Sequence, residues 1–352
     1  MDKKELNRFP QNKSKDKRIL VVGVNWLGDS IMTTPAFKAL KHVYPESYIA
    51  VMTVSRVKEV FEDNPCVDEV IIFDEKTSHK SIKEKIKFIK FLKEKKFQKA
   101  FLIHRSFTRA LICRLAAIPS RAGYQRLKNY FILTDKVGLP KEGLHRQDYY
   151  LNLFKKSGIA VENSLPEFFI PPGVLDRVSR ALEFLKKDHS CLVGVNPSAN
   201  WELKRWPPEY FSVLCDRLVK GMGAGVVFVG GESDEKITRE VIGRMREPAY
   251  SLCGKTTLKE LAAVIKNISL FISNDSGPAH LSAALGVSTL ALFGPTSPKI
   301  TSPRGRRVRV IKNDCGCKVP CYDLNCKNNI CMQKITVEEV YLEAKNMLDN
   351  LV

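Results

Sequence analysis

The sequence predicts an α/β protein with two domains of similar size, each built on a parallel sheet that is covered by helices on both faces. Its 352 residues correspond to about two domains at roughly 150 residues each. Short apolar runs rich in β-branched residues alternate with segments of helical periodicity, which indicates parallel strands joined by helices. This alternation breaks near Pro171 and Pro172, and we place the domain boundary there.

In the first half, residues 1–17 are polar and predict a flexible basic tail. A buried strand follows at Ile19–Val22, ends at the turn residue Gly23, and leads into a helix from about Asp29 to Val43. The predicted domain spans residues 18–165. Its further strands are expected at three apolar runs: Tyr48–Met52, Val70–Phe73 and Lys99–Ile103.

The segment Lys76–Lys99 is the most basic part of the chain and predicts an amphipathic helix. Its apolar residues fall near helical spacing, with lysines between them: Ile82, Ile86, Ile89 and Phe91 or Leu92. Such a helix is either a surface helix whose lysine stems cover apolar surface, or a helix beside an anionic acceptor or a membrane face.

The second half predicts a linker at residues 166–175, a domain at 176–335 and a last helix at 336–352. Its strands are expected at Cys191–Val195, Gly225–Val229, Leu270–Ser273 and Ser288–Phe293, and its helices at Pro207–Lys220, from Ser233 and from Gly277.

The composition favours a soluble protein with anionic partners. The chain holds 57 basic and 38 acidic residues, a formal net charge of +19, spread over its whole length. The longest early apolar stretch, Ile19–Val24, is far short of the ~20 residues that span a bilayer. The first 18 residues show no apolar run at the position of a signal peptide. We therefore expect a cytoplasmic protein.

The first motif is Gly-Val-Asn-Trp-Leu-Gly-Asp-Ser, residues 23–30. Gly23 and Gly28 have the spacing of a phosphate-binding loop, but Asp29 stands where that loop needs lysine, and a carboxylate repels phosphate. The dinucleotide-binding spacing G-x-G-x-x-G is also missing. At the end of a strand and the start of a helix, Asp29 is either a helix cap or a catalytic base.

Two further motifs follow strands of the second half. Asn196–Asn200 supplies small polar groups, and Lys204–Pro207 adds cations and opens a helix, which suits either an anion site or an ordinary loop. Asn274–His280 reads Asn-Asp-Ser-Gly-Pro-Ala-His at another strand end. Its free amides suit a diphosphate at the helix start, and His280 lies one turn inside.

Four motifs in this order resemble glycosyltransferase family 9, which contains the ADP-heptose:lipopolysaccharide heptosyltransferases, and the resemblance spans about residues 18 to 345. The residues that carry it are Gly28-Asp29 with Thr33-Thr34-Pro35-Ala36, Lys204-Arg205-Trp206-Pro207, Gly230-Gly231-Glu232, and Asn274 to Leu281 with Ala291 to Thr296. The type within the family that the sequence resembles is heptosyltransferase II.

The resemblance implies a GT-B fold, in which two Rossmann-like domains face each other across a cleft and the last helix crosses back to the first domain. It implies inverting transfer of heptose from ADP-heptose to the inner core of lipopolysaccharide, with no metal or other cofactor required. The expected partners are a nucleotide sugar and a lipid-linked core oligosaccharide, not nucleic acid. We expect a monomer in peripheral contact with the inner face of the cytoplasmic membrane.

The resemblance also implies roles for single residues. Asp29 matches the general base, Lys204 a contact to the donor diphosphate, and Glu232 a carboxylate that binds the ribose hydroxyls. Thr256 and Leu258 fall where the adenine pocket is expected. The remaining expected donor contacts are Ser198, Asn200, Asp275, Ser276, Gly277 and His280, and the acceptor-side loop contributes Asn25, Trp26, Gly28 and Thr33.

Five of the ten cysteines crowd one stretch near the carboxyl end: Cys315, Cys317, Cys321, Cys326 and Cys331. A tight cluster in a cytosolic protein favours a metal over disulfides. However, the spacing C-x-C-x3-C-x4-C-x4-C is not that of a zinc site. Both a structural metal site and free or redox-variable thiols stay open.

Three alternatives remain on the sequence alone. The first is a glycosyltransferase of the same fold with another nucleotide sugar or acceptor. The second is a basic protein that binds nucleic acid or a membrane surface without catalysis, although it leaves Asp29, Lys204 and His280 unexplained. The third is a noncatalytic family member.

Overall fold

Two parallel six-stranded sheets organise the chain. They are seen in a computed structural model that describes residues 18–162, 165–321, 323 and 325–350; the predicted tail at residues 1–17 lies outside the described residues. Contacts between Cα atoms divide the chain into two units, Met1–Phe169 and Ile170–Val352, called unit 1 and unit 2 below.

The sheet of unit 1 has the strand order β3-β2-β1-β4-β5-β6, with every neighbouring pair parallel. Its strands are β1 Arg18–Val22, β2 Tyr48–Thr53, β3 Glu69–Ile72, β4 Lys99–Leu102, β5 Ser120–Tyr124 and β6 Asp135–Val137. Its helices are α1 Leu27–Val43, α2 Ile82–Glu94, α3 Phe107–Leu115 and α4 Arg146–Lys156.

Strand β1 lies at the centre of this sheet, between β2 and β4, and is almost completely buried. Four of its five residues are fully buried, and Ile19 pairs in register with Ile49 on one side and Lys99 on the other. A strand buried on both faces reads as a continuous apolar run, which explains why the sequence predicted it. Helix α1 follows it and packs against α4.

The basic segment forms the predicted helix, α2. In α2 only Phe88 and Leu92 are buried, whereas Ile82 and Ile86 are exposed. Phe88 and Leu92 lie four residues apart on the face that packs on the core of unit 1, and the partly buried Ile89 packs beside them. The two alternatives for this helix, a surface helix or a helix beside an anionic acceptor or a membrane face, stay predictions.

The sheet of unit 2 has the order β12-β11-β10-β7-β8-β9 and is also parallel throughout. Its strands are β7 Cys191–Asn196, β8 Ala224–Phe228, β9 Tyr250–Ser251, β10 Leu270–Asn274, β11 Ser288–Leu292 and β12 Val308–Ile311. Its helices are α5 Pro172–Ala181, α6 Glu183–Asp188, α7 Pro208–Met222, α8 Glu235–Arg244, α9 Leu258–Lys266, α10 Gly277–Ala284, α11 Pro298–Thr301, α12 Ile330–Gln333 and α13 Val337–Asp349.

The core of unit 2 contains Trp206, which is fully buried next to Phe211 and is part of one apolar cluster with Met332 and Ile335. Its indole N–H donates to the carbonyl of Ile335 at 2.9 Å. A buried indole needs such a partner for its single donor. The segment that precedes α7 is therefore fixed to the chain that enters the last helix.

The first and last elements of unit 2 can be compared with the predicted linker and the predicted last helix. The division at Phe169 and Ile170 falls inside the predicted linker 166–175. Pro171 and Pro172 do not form only extended chain, because Pro172 begins α5, where the fixed φ of proline suits the first helical turn. The last helix, α13, packs on α7 and β10 of unit 2, and its predicted crossing to the first domain stays a prediction.

Both sheets confirm the predicted α/β class. In each, the strand order reverses beside the first strand of the unit: between β1 and β4 in unit 1, and between β7 and β10 in unit 2. Open parallel sheets bind ligands at the carboxyl ends of the strands at this reversal. Among the described residues no helix is long and apolar enough to cross a bilayer.

Candidate active site

The carboxylate of Asp29 lies at the strand reversal of unit 1. Asp29 is the third residue of α1 and is partly buried. The hydroxyl of Tyr150, on α4, donates to its Oδ1 at 2.8 Å. Burial, and then the charge of Asp29, raise the pKa of Tyr150 well above its usual value. Tyr150 therefore stays a neutral donor that fixes one oxygen of the carboxylate.

Asp29 does not occupy the capping position of α1. The N-cap is Trp26, which has extended backbone dihedrals and makes no side-chain capping bond. A capping aspartate accepts a hydrogen bond from a backbone N–H one turn ahead, whereas the bond to Oδ1 comes from Tyr150. The helix N-terminus still favours the negative charge through its dipole.

A buried arginine organises the loop before α1. Arg109, which is 1% exposed, donates through Nη1 to the carbonyl of Gly23 at 3.1 Å and through Nη2 to Oδ1 of Asn25 at 2.9 Å. The amide of Asn25 also contacts Nε2 of His104 at 3.0 Å. Burial, and then the charge of Arg109, lower the pKa of His104 to about 4. His104 is thus a neutral imidazole at physiological pH.

The other predicted acceptor-side residues differ in how far their side chains are exposed to a ligand. Trp26 is half exposed, with the guanidinium carbon of Arg56 4.1 Å from the centre of its ring. Gly28 is buried in the first turn of α1. Thr33 is fully buried, and its hydroxyl donates to the carbonyl of Ser30 at 2.7 Å. Its hydroxyl is therefore used inside the helix.

In unit 2, the predicted Lys204 and Asp275 form an ion pair at the strand reversal. Nζ of Lys204 donates to Oδ2 of Asp275 at 2.7 Å, and the hydroxyl of Thr296 donates to the same oxygen at 2.7 Å. Asp275 is 5% exposed and the Lys204 side chain 23% exposed. The buried carboxylate therefore holds the ammonium group in place while leaving part of it open to solvent.

The start of α10 lies beside this pair, because Asp275 follows β10 and Gly277 is the first helical residue. Ser276 is the N-cap; its hydroxyl contacts that of Ser273 at 2.8 Å and makes no capping bond. Asn274 accepts from the backbone N–H of Trp206 at 3.0 Å. The first amides of α10 and Lys204 thus come together at one carboxyl edge, as an anion site requires.

Two hydroxyl groups in this half are buried and have no partner among the described residues: Ser198 Oγ and Thr256 Oγ1. Leaving a buried hydroxyl unpaired costs free energy, so both suit contact with a bound ligand. Ser198 follows β7, whereas Thr256 follows β9, two strands away in the sheet.

The remaining predicted donor residues lie at the same edge of this sheet with different exposure. Leu258 is the first residue of α9 and is half buried. Glu232 and Asn200 are exposed after β8 and β7. His280 is buried inside α10.

A glycine permits the position of Thr296. A Cβ atom on Gly294 would lie 2.4 Å from Sδ of Met332 and 3.1 Å from Sγ of Cys331. Only glycine lets this loop approach α12 so closely. The loop then presents the Thr296 hydroxyl to Asp275.

The described part of the cysteine cluster holds no group of side chains that could bind a metal ion. All ten cysteines are free thiols, and no three His, Cys, Asp or Glu side chains within the described ranges come close enough together to hold a metal ion. Cys317 is exposed and Cys331 buried, and the thiol of Cys315 raises the pKa of its neighbour Cys317.

Four residues of this arrangement were missed by the sequence reasoning: His104, Arg109, Tyr150 and Thr296. His104 had a signal, because it follows a predicted strand that neighbours β1. Thr296 ends the segment Ala291–Thr296, which carries part of the family resemblance but implies no role for this residue. Arg109 and Tyr150 lie on helices, and nothing in their local sequence shows that they reach the loop of Asp29.

The fold and these sites define the class of protein. The family model "Glycosyltransferase family 9 (heptosyltransferase)" matches residues 85–331, and the chain therefore belongs to this family. The match includes Lys204 and Asp275; Asp29 precedes it. As a glycosyltransferase the chain is an enzyme, which excludes the interpretation as a basic binding protein without catalysis.

Individual relatives narrow the class to heptosyltransferases. The chain is 28% identical to lipopolysaccharide heptosyltransferase 2 of Salmonella typhimurium over 84% of this chain and 88% of the relative. It is 28% identical to lipooligosaccharide heptosyltransferase 2 of Campylobacter jejuni over 92% and 96%.

Solved structures agree with this class. The Escherichia coli ADP-heptose lps heptosyltransferase II matches with a TM-score of 0.82 at 26% identity, covering 95% of this chain and 99% of that one. A family 9 glycosyl transferase from Veillonella parvula matches with a TM-score of 0.87 at 26% identity, over 95% and 98%. The predicted GT-B class is thereby confirmed.

Proposed function

We propose that the protein transfers a heptose from ADP-heptose to the inner core of lipopolysaccharide. The observation that carries this proposal is the Lys204–Asp275 pair beside the start of α10, at the strand reversal of unit 2. The printed names of the relatives support the choice of substrates: one is an ADP-heptose lps heptosyltransferase, another a lipopolysaccharide heptosyltransferase.

The donor binds along the carboxyl edge of unit 2 in this proposal. Its diphosphate accepts hydrogen bonds from the first amides of α10 and from Lys204, with Asp275 and Ser276 shaping the turn. Ser198, Asn200 and His280 border the same anion. Glu232 accepts from the ribose hydroxyls, and the adenine lies against Leu258 with Thr256 as a polar partner.

The acceptor binds beside Asp29 on unit 1, near Asn25 and Trp26. The acceptor hydroxyl attacks the anomeric carbon from the side opposite the diphosphate, so one carbon–oxygen bond forms as the other breaks and the configuration inverts. The proton of that hydroxyl passes to the carboxylate of Asp29. The hydroxyl of Tyr150 donates to Oδ1 of this carboxylate, which leaves Oδ2 to take the proton.

The leaving ADP gains negative charge as its bond to the sugar breaks. Lys204 and the amide dipoles of α10 stabilise this charge, and because they are fixed in the fold they need little rearrangement. We therefore propose that transfer is independent of a metal. Protein treated with a chelator is expected to keep its rate; a rate that falls and returns with a divalent cation would refute this part.

The acceptor and the location follow from charge. Residues 1–169 hold 32 lysines and arginines against 19 acidic residues, so unit 1 carries +13 of the net charge of +19. This suits a phosphorylated, lipid-linked core oligosaccharide. We propose a cytoplasmic monomer that contacts the inner face of the cytoplasmic membrane peripherally.

A donor screen tests the proposed function. The purified protein is incubated with core-lipid acceptors and with ADP-, GDP- or UDP-sugars, and products are identified by mass spectrometry. A heptosylated core lipid from ADP-heptose alone is the expected result. Transfer from a GDP- or UDP-sugar instead would assign the chain to another donor of the same fold, and transfer from none would reject the proposal.

A further inference from the structure

The connection from β5 to β6 exposes two large apolar side chains. Leu127 is 97% exposed and Phe131 is 83% exposed, the highest values for large apolar residues in the described part of the chain. Burying such side chains would normally favour the fold, so their exposure needs an explanation other than packing. The segment Arg126–Phe131 is called the apolar turn below.

The apolar turn is well held, so the exposure does not come from a frayed loop. Oδ1 of Asn129 accepts from the backbone N–H of Arg126 at 2.8 Å, and its Nδ2 donates to the carbonyl of Tyr124 at 3.1 Å. The residues that follow, Ile132 and Leu133, are 5% exposed and belong to the core of unit 1. The fold thus anchors one end of the segment and projects Leu127 and Phe131 outward.

Cations surround the apolar turn. Residues 95–134 contain nine lysines and arginines and no aspartate or glutamate. Arg114 donates to the carbonyl of Phe131 at 2.6 Å, and Nζ of Lys136 lies 3.6 Å from the ring centre of Tyr130. The charges of Arg114, Arg126, Lys128 and Lys136 have no ion-pair partner among the described residues.

The apolar turn also borders the edge of the sheet where Asp29 lies. Arg126 and Asn129 line a small recess with His104 and Arg105, which follow β4. All six strands of unit 1 are parallel, so the ends of β1, β4 and β5 lie at one edge. A surface that contacts the apolar turn is therefore close to the acceptor side of unit 1.

We propose that the apolar turn docks unit 1 on an anionic lipid bilayer. Leu127 and Phe131 enter the interface between headgroups and acyl chains, while Arg114, Arg126, Lys128 and Lys136 contact anionic headgroups. An anionic bilayer binds such an arrangement well, because the acyl boundary accepts the apolar side chains and the headgroups attract the surrounding cations. A protein partner fits less well, because two projecting side chains offer far less than the ~800 Å² that each side of a stable protein interface buries.

The docking would bring the acceptor-binding edge to the membrane that holds a lipid-linked acceptor, and this consequence rests on the proposed function. Binding to lipid does not rest on it. The two are therefore measured separately, with vesicles that contain no substrate and with a transfer assay.

Vesicle flotation tests the docking with the whole protein. Wild type is mixed with vesicles of phosphatidylcholine alone or of phosphatidylcholine and phosphatidylglycerol. We expect binding to the anionic vesicles that weakens with added salt. The double change Leu127→Ser with Phe131→Ser is expected to weaken it roughly 100-fold, at about tenfold for each apolar side chain removed from the interface. Lys128→Gln is expected to weaken it about fivefold.

Leu342→Ser is the matched control. Leu342 lies on α13 of unit 2, is 54% exposed, and has Glu343 beside it. It is expected to bind vesicles as wild type does. All variants change exposed side chains, and equal melting temperatures would verify that they fold.

Three results would overturn the docking: equal binding of the double variant and wild type, equal binding of wild type to both vesicle types, or self-association of wild type through the apolar turn that the double change abolishes. A transfer assay separates this from the proposed function. The double variant is expected to keep its rate on a deacylated, water-soluble acceptor and to lose rate on the acylated acceptor in vesicles. If neither acceptor is used by wild type, the proposed function fails while the vesicle result stands.

Discussion

Replacing Lys204 by methionine tests the donor site most directly. The change keeps the length of the side chain and removes its charge. In the structure that charge has two tasks: it pairs with the buried Asp275 at 2.7 Å, and in the proposed function it binds the donor diphosphate. Lys204→Met therefore removes an attractive cation and leaves a carboxylate that repels the ligand.

The magnitude follows from the distances and exposure. Two unit charges about 4 Å apart interact by about 4 kcal/mol at an effective dielectric constant near 20. Solvent reaches the Lys204 side chain, which is 23% exposed, and screening reduces this value. We expect a loss of about 2–3 kcal/mol in ADP binding, or a roughly 30- to 150-fold higher Kd. Asp275, left with only the Thr296 hydroxyl, should lower the free energy of unfolding by about 3 kcal/mol.

The assay is calorimetric titration with ADP, together with urea unfolding, on Lys204→Met and on Lys204→Met with Asp275→Asn. The double variant contains no unpaired buried carboxylate. It should recover most of the stability and bind ADP about tenfold more tightly than the single variant. ADP binding by Lys204→Met that equals wild type would refute the role of Lys204, and a double variant no better than the single one would refute the role of its pairing.

Three further predictions concern unit 1. Asp29→Asn is expected to lower kcat roughly 10²- to 10⁴-fold, as loss of a general base does, with an unchanged Kd for ADP; a small effect on kcat would exclude Asp29 as the base. Tyr150→Phe removes the hydroxyl that donates to Asp29 and should lower kcat about tenfold, again without a change in ADP binding by calorimetry. The pKa of His104 is lowered to about 4 from 6.5, so the unfolded chain binds a proton in that interval and the folded chain does not. The free energy of unfolding should therefore fall as the pH drops from about 6.5 to about 4. His104→Gln should remove that part of the loss in urea titrations across this range, and an unchanged pH dependence would contradict the assigned burial.

Much of the fold could be predicted because buried parallel strands consist of continuous runs of apolar residues, which are visible in the sequence. The strands β1, β2, β7 and β10 are such runs, and their ends were placed within one or two residues. The strands β5 and β6 were not predicted. Ser120–Tyr124 holds serine, arginine and glycine, and Asp135–Val137 has three residues, so neither carries a local signal. The sheet forms there because β5 pairs with β4 and β6 pairs with β5.

The candidate active site also has a part that the sequence predicts and a part that it does not. Lys204 and Asp275 each stand in a recognisable motif, and their contact across 71 positions follows from neighbouring strands of one sheet. The contact of Asp29 with Tyr150 spans 121 positions and comes from the packing of α1 against α4. No periodicity or motif encodes which face of α4 meets α1, so such a partner is visible only in the folded chain.

The attachment of Trp206 has a consequence for how the enzyme is made. Its backbone N–H is bound by Asn274 and its indole N–H by the carbonyl of Ile335, so the neighbouring Lys204 depends on residues far downstream. A nascent chain in which Ile335 has not yet left the ribosome lacks the hydrogen bond from the Trp206 indole. If Lys204 binds the donor as proposed, we therefore expect full donor affinity only after the chain has been synthesised through Ile335.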